Sequence, residues 1–163
     1  MSRPSDLSRP SDLARSDDKP LKDILAGDHL GVLATLRRDG RPQLSDVSHQ
    51  FDADPDTIRV SITEGRAKTA NLRRDPRASL HVRPRSGGGY AVAEGIAQLS
   101  QTAADPTDVT VEALVDLYRT INGEHPDWDE YRRAMTDQGK ALIRITPTRW
   151  GPIATGGFPE RLG

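Results

Sequence analysis

The sequence predicts a mainly β protein, about six antiparallel strands closed into a barrel with helices packed outside it. Three observations carry that expectation. Six segments either alternate apolar with polar residues or hold a short apolar run bounded by turn residues. Most of these segments follow one another at hairpin-like spacing. Helical patterns fall between the third and fourth strands and as a pair before the last, so the strand–helix alternation of a parallel doubly wound sheet is missing.

Residues 1–18 read as a disordered tail, with a single folded domain over 19–163. Ser2–Leu7 is repeated at once as Ser8–Leu13, and a hexad with one Leu and one Pro buries too little apolar surface to offset its ordering entropy. A peptide docking motif is the functional alternative for this repeat. Leu21, Ile24 and Leu25 then share one face of a short helix, with Asp17 or Asp18 as cap candidates and Gly27 as the stop. His29–Arg37 is the first strand, and its centre, Gly31 to Leu36, is apolar on both faces as in a buried strand. Asp39-Gly40 is a tight-turn signal that returns Gln43–Phe51 antiparallel. A polar turn at Asp52–Asp56 leads into Thr57–Thr63, where Ile58, Val60 and Ile62 alternate with Arg59, Ser61 and Thr63.

Glu64-Gly65 breaks that strand, and Arg66–Asp75 reads as a helix ended by Pro76. Ala78, Leu80 and Val82 mark the fourth strand, and the loop Ser86–Gly89 precedes a long fifth strand, Tyr90–Leu99. Asp108–Asn122 is helical, with Val111, Leu114, Val115 and Tyr118 on one stripe. Asp127 is placed to cap a second helix carrying Trp128, Tyr131 and Met135. The last strand is Lys140–Thr146, and Pro147–Gly163 reads as irregular.

Composition narrows the function. Lys and Arg total 23 against 24 Asp and Glu in 163 residues, a balance that argues against a general polyanion binder. Hydrophobic residues at 34% and aromatics at 4% are low for a self-contained core, so part of the chain is expected to be disordered, or part of the core to be completed by a second subunit. With no cysteine, disulfides, a thiolate nucleophile and Cys-ligated metal centres are excluded. No apolar run reaches the roughly 20 residues that span a bilayer. The N-terminus carries no apolar signal region. A soluble cytoplasmic protein, not bound to membranes, is the expectation.

The stretch Glu64–Arg85 concentrates charge: Arg66, Lys68, Arg73, Arg74, Arg77, Arg83 and Arg85 against Glu64 and Asp75. At its front a strand bearing Ser61 and Thr63 runs through Gly65 into a helix whose first turn holds Arg66, Lys68 and Thr69. A helix start presents unpaired N–H groups and the positive end of a dipole, which favours a phosphate, and an arginine binds phosphate oxygens bidentately. Two other readings stand beside this one. The run is a solvated basic helix face, or it is a nucleic-acid patch, against which counts the absence of Phe, Tyr and Trp from Glu64–Gly89. His29, His49, His81 and His125 form no metal-ligand spacing, and His49 and His81, on predicted strands, are expected to be structural and hydrogen-bonded. Asp105, Asp108, Asp127 and Asp129 read as caps and turn residues. No nucleophile elbow, Walker loop or Rossmann fingerprint occurs, so the chemistry is expected from a bound cofactor, with no catalytic side chain and no metal.

Four blocks in order, Gly31–Thr35, Asp39–Gln43, Arg66–Arg77 and Tyr90–Gly95, together resemble the coenzyme F420-dependent (deazaflavin) reductases of the pyridoxamine 5'-phosphate oxidase-like superfamily. Val111–Leu114, Gly123–His125 and Asp127–Asp129 are similar to the same branch. The resemblance runs from about Leu21 to Gly151, and the Arg66–Arg77 block is its most specific part. It implies a split β-barrel homodimer with two cofactor sites between subunits. By position, Ser61, Arg66, Lys68 and Thr69 would hold the cofactor's phosphate and the start of its oligoglutamate tail, with backbone contacts from Ile62 and Ala67. Gln43, Ser45, Asp46 and Val47 would line the deazaflavin ring, and Tyr90 and Trp150 would come from the partner subunit. Arg73, Arg74 and Arg77 would attract the polyanionic tail through their field. Many relatives carry Asn where this chain has Asp46, and the loop Ser86–Gly89 is bare where relatives can offer an aromatic. The C-terminal arginine and histidine motif of the pyridoxine-phosphate oxidases is not evident near Phe158–Gly163. The implied activity is hydride transfer from reduced coenzyme F420 to an electron-poor small molecule such as a quinone, enone or tetrapyrrole. An FMN-dependent oxidase and a non-catalytic cofactor or haem carrier are the alternatives.

Overall fold

A computed structural model describes residues 18–152; the predicted tail, but for Asp18, and Phe158–Gly163 lie outside them. The described chain runs α1 (Lys19–Gly27), β1 (Leu30–Leu36), β2 (Pro42–Asp52), β3 (Thr57–Thr63), α2 (Ala67–Arg74), β4 (Arg77–Val82), β5 (Ala91–Leu99), α3 (Val109–Asn122), α4 (Trp128–Asp137) and β6 (Lys140–Gly151). The six strands close a barrel in the order β1-β2-β3-β6-β5-β4, with every neighbour antiparallel. The predicted architecture is the observed one.

Alternation along the strands decides what goes inside. Leu33, Val60, Ile62, Leu80, Ile143 and Ile145 are almost fully buried in the barrel interior, and the small inward residues of β5, Ala91, Ala93 and Ala97, leave room for them. Gly95 continues that row because nothing larger fits: a Cβ there would stand 2.2 Å from the Thr146 carbonyl oxygen. A second core forms where α3 and α4 cover the outward Leu142 of β6 with Val111, Leu114 and Met135. Both helices start on aspartate side chains as expected: Asp108 accepts from the Val111 N–H at 2.8 Å and Asp127 from the Glu130 N–H at 3.0 Å. No helix among the described residues is long and apolar enough to cross a membrane.

Three expectations are corrected. Asp18 makes no side-chain cap bond to α1; the helix has Pro20 in its first turn, where the missing N–H costs nothing. Strand β6 does not stop at Thr146 but continues to Gly151, because β5 goes on pairing with it, and an irregularity at Glu94/Gly95 accommodates Pro147, which has no N–H to donate to the ladder. Finally, β1 is not buried on both faces. Leu33 and Thr35 point inward and are buried, while Val32, Ala34 and Leu36 are half-covered and Leu30 is 48% exposed.

Candidate functional site

Strand β2 changes partners along its length. It pairs with β1 over Pro42–Ser48 and with β3 only over His49–Asp52, which face Val60–Thr57. Beyond the His49–Val60 pair, β3 continues against β6 alone, with Ser61 opposite Leu142, Ile62 opposite Ala141 and Thr63 opposite Lys140. The two strands therefore part, and the facing edges of Gln43–Ser48 and Ser61–Thr63 carry main-chain polar groups that the ladder between them does not use. A sheet edge of this kind needs hydrogen-bond partners. The split in the barrel is flanked on one side by Gln43, Ser45, Asp46 and Val47, and on the other by Ser61 and Ile62.

Period-two geometry sorts those residues. Val47 and Ile62 turn inward and are 7% and 1% exposed. Gln43 and Ser45 share the face of Val47 and are half-buried, whereas Asp46 lies on the opposite face and is exposed, as is Ser61. Gln43 is held: its Oε1 accepts from Asn71 Nδ2 at 3.0 Å, and the same amide donates to the Thr35 hydroxyl at 3.1 Å. Thr35 and Asn71 are both buried, so this small network joins β1, β2 and α2 beside the split.

The end of β3 leads to the mouth. Gly65 turns the chain with φ +79°, a conformation open to glycine, and Arg66 is the extended residue before α2. The Thr69 and Ala70 N–H groups donate to the Arg66 carbonyl at 3.1 and 3.2 Å, which leaves the Ala67 and Lys68 N–H groups without a main-chain acceptor among the described residues. Thr69 is buried and its hydroxyl donates to the Thr63 carbonyl at 3.0 Å. It ties the helix to the strand end and its side chain does not face the opening.

The basic run divides into engaged and free side chains among the described residues. Arg73 pairs with Glu64 at 2.6 Å and Arg77 with Asp75 at 2.8 Å. Their hydrogen bonds hold both carboxyls below the ordinary range, Asp75 at about 2. Arg74 donates to the Leu36 carbonyl. The three arginines expected to attract a polyanionic tail are thus engaged within the chain. Arg66 and Lys68 are not: neither has an acidic partner among the described residues.

Lys140 is a residue that the sequence reading missed. It opens β6 beside this mouth and donates to the Thr63 hydroxyl at 2.9 Å. The signal that would have found it is the β3–β6 register, which sets Thr63 against a residue 77 positions away.

Tyr90 and Trp150 are brought together, but elsewhere. Both line a cleft of about 200 Å³ with Val92, Glu94 and Arg149, between the ends of β5 and β6. Trp150 packs edge-on against Phe51, ring centroids 5.6 Å apart, at the paired end of β2. Within one chain neither reaches the split. Among the histidines, His49 is fully buried and its Nε2 lies 3.2 Å from the Leu25 carbonyl. His81 is exposed and stacks on Tyr90 at 5.2 Å, so stacking and not hydrogen bonding sets its place. No group of three metal-ligating side chains occurs among the described residues.

The comparisons with known proteins agree with this architecture. The family described as pyridoxamine 5'-phosphate oxidase matches residues 18–154. Among solved structures the chain is similar to an F420 reductase, at 21% identity and TM-score 0.60 over 80% of this chain and 94% of that one. A conserved hypothetical protein from Mycobacterium tuberculosis matches at 20% identity and TM-score 0.61, over 88% and 94%. A heme binding protein from Mycobacterium smegmatis matches at 17% and TM-score 0.61, over 92% of this chain and 54% of that one. At these identities the likeness is one of fold.

Proposed function

The chain belongs to the pyridoxamine 5'-phosphate oxidase family, and we propose that it is a coenzyme F420-dependent reductase that holds its cofactor in the split between β2 and β3. The observation that carries this reading is the pair Arg66 and Lys68, without acidic partners, beside two unused N–H groups at the mouth of a split whose edges lack partners. A phosphate supplies the missing counter-charge and acceptors, and a flat ring fits an opening between strand edges. The choice of a deazaflavin over FMN rests on the Arg66–Arg77 block and its companions in the sequence.

In this reading Arg66, Lys68 and the Ala67 N–H hold the phosphate, Ser61 offers a hydroxyl beside it, and Ile62 contributes main-chain contact. Thr69 keeps the helix start in place through Thr63. Gln43, Ser45 and Val47 present one row along the ring and Asp46 the other face of the strand. The chemistry the cofactor supplies when bound is transfer of a hydride from C5 of its reduced ring to an electron-poor organic acceptor. The protein's part is to fix ring and acceptor in near-attack geometry and to keep water out, which needs no nucleophile.

A homodimer belongs to the same proposal. The outward face of β2, β1, β4 and β5 exposes Leu44 at 65%, Leu30 at 48% and Ile96 at 43%, and it holds a hollow of about 380 Å³ lined by Ala34, Leu36 and Ile96 together with Arg77, Ser79 and Glu94. A sheet face that exposes large apolar side chains among polar ones is what a second copy covers. Through it Tyr90 and Trp150 of one protomer complete the site of the other.

Fluorescence titration with oxidised coenzyme F420 and with FMN tests the assignment. Coenzyme F420 is expected to bind at micromolar or lower concentration, and Lys68→Ala to weaken it about tenfold, the worth of one charge-assisted hydrogen bond. Binding of FMN alone, or affinity indifferent to Lys68, contradicts it.

A further inference from the structure

Lys140 lies on the other side of the barrel sequence from the basic run, yet the β3–β6 ladder sets it opposite Thr63, the residue from which the chain turns through Gly65 into Arg66 and Lys68. Its ammonium group donates to the Thr63 hydroxyl at 2.9 Å and is half-buried. Glu64, the carboxylate next along the chain, is taken by Arg73 at 2.6 Å and by the Thr102 hydroxyl at 3.0 Å. Among the described residues no acidic side chain lies within ion-pair distance of Arg66, Lys68 or Lys140.

Three cations thus converge without a counter-charge. Burial pushes the Lys140 ammonium below the ordinary lysine range, and the charges of Arg66 and Lys68 push it the same way. With no anion between the three, this arrangement works against folding, since a partly desolvated ammonium is held against its own kind. A multiply charged anion among the three reverses the sign.

We propose that Lys140 is a ligand-binding residue, the third cation of a cradle with Arg66 and Lys68 that takes a phosphate group with a further negative charge on or beside it. The second charge is that of a phosphate monoester, as in FMN, or of a carboxylate next to a phosphodiester, as in coenzyme F420. The inference rests on the reading that the split holds a phosphate-bearing cofactor, but not on which one.

The test uses the full chain with Lys140→Gln, Lys140→Arg and Lys68→Ala, titrated with coenzyme F420, FMN and riboflavin, which has no phosphate; thermal unfolding of each protein without ligand is read alongside. Lys140→Gln is expected to raise the dissociation constant of the phosphate-bearing ligand about tenfold, to leave riboflavin unchanged, and to raise the melting temperature of the free protein. Lys140→Arg is expected to keep affinity within about threefold, because the charge is retained. If Lys140→Gln leaves affinity unchanged while Lys68→Ala weakens it, Lys140 is not part of the cradle. If it weakens riboflavin as much as FMN and lowers the melting temperature, the residue only supports Thr63 and the proposal is overturned. If FMN binds in a Lys140-dependent way and coenzyme F420 does not bind, the cradle stands and the deazaflavin reading fails. If the wild-type protein binds neither phosphate-bearing ligand, both fail.

Discussion

Replacing Asn71 with alanine removes a side chain that joins β1, β2 and α2 beside the split. Its amide donates to the Thr35 hydroxyl at 3.1 Å and to Gln43 Oε1 at 3.0 Å. Thr35 is 1% and Asn71 7% exposed, so water does not readily replace the lost donor. Two hydrogen bonds at about 1 kcal/mol each, plus about 1–2 kcal/mol for a buried acceptor left without a partner, give an expected loss of about 3 kcal/mol. Gln43→Ala removes only the acceptor at the half-buried end and is expected to cost about 1 kcal/mol. Urea unfolding at fixed protein concentration reads both as shifts in midpoint at constant slope. Because the network also fixes Gln43, Asn71→Ala is expected to weaken cofactor binding as well. A loss below about 0.5 kcal/mol, within the range of ordinary surface substitutions, would refute the view that this network is satisfied and buried as described.

Two further predictions concern the barrel. His49 sits inside with Nε2 toward the Leu25 carbonyl and Nδ1 without a partner among the described residues. Burial is the main cause of its lowered pKa, and His29 adds to it, against the opposing Leu25 carbonyl and Asp28. The unfolded chain therefore takes up this proton near pH 6.5 while the folded one refuses it. Stability should fall as the pH drops below about 6.5, and His49→Leu should flatten that slope in denaturant titrations at pH 7 and pH 5; an unchanged slope would show that other groups set it. On the outer face, Leu44→Glu places a charge in the apolar patch and is expected to convert a dimer to monomers in sedimentation velocity, with weaker cofactor binding. A wild-type protein that is monomeric at tens of micromolar, a concentration range in which a standard-sized interface holds, would contradict the shared site.

Much of this was legible in the sequence because local pattern dictates it. The strict alternation of Ile58, Val60 and Ile62, the Asp39-Gly40 turn and the aspartate caps of α3 and α4 each act within a few residues, and each appears where expected. Pairing between distant segments was not legible. Nothing near Lys140 announces that it faces Thr63, and nothing near Arg73 shows that it reaches back across the turn to Glu64. The end of β6 was missed for a related reason: Pro147 reads locally as a stop, but the long partner β5 carries the strand past it. The apolar centre of β1 suggested burial on both faces, whereas one chain covers only one of them.

The most direct measurement is a crystal structure of the protein with oxidised coenzyme F420. The account predicts a phosphate within hydrogen-bonding distance of Arg66 and Lys68 and the ring lying along Gln43–Val47 between β2 and β3. A cofactor bound at any other place on the barrel, with the split closed or facing open solvent, would contradict it.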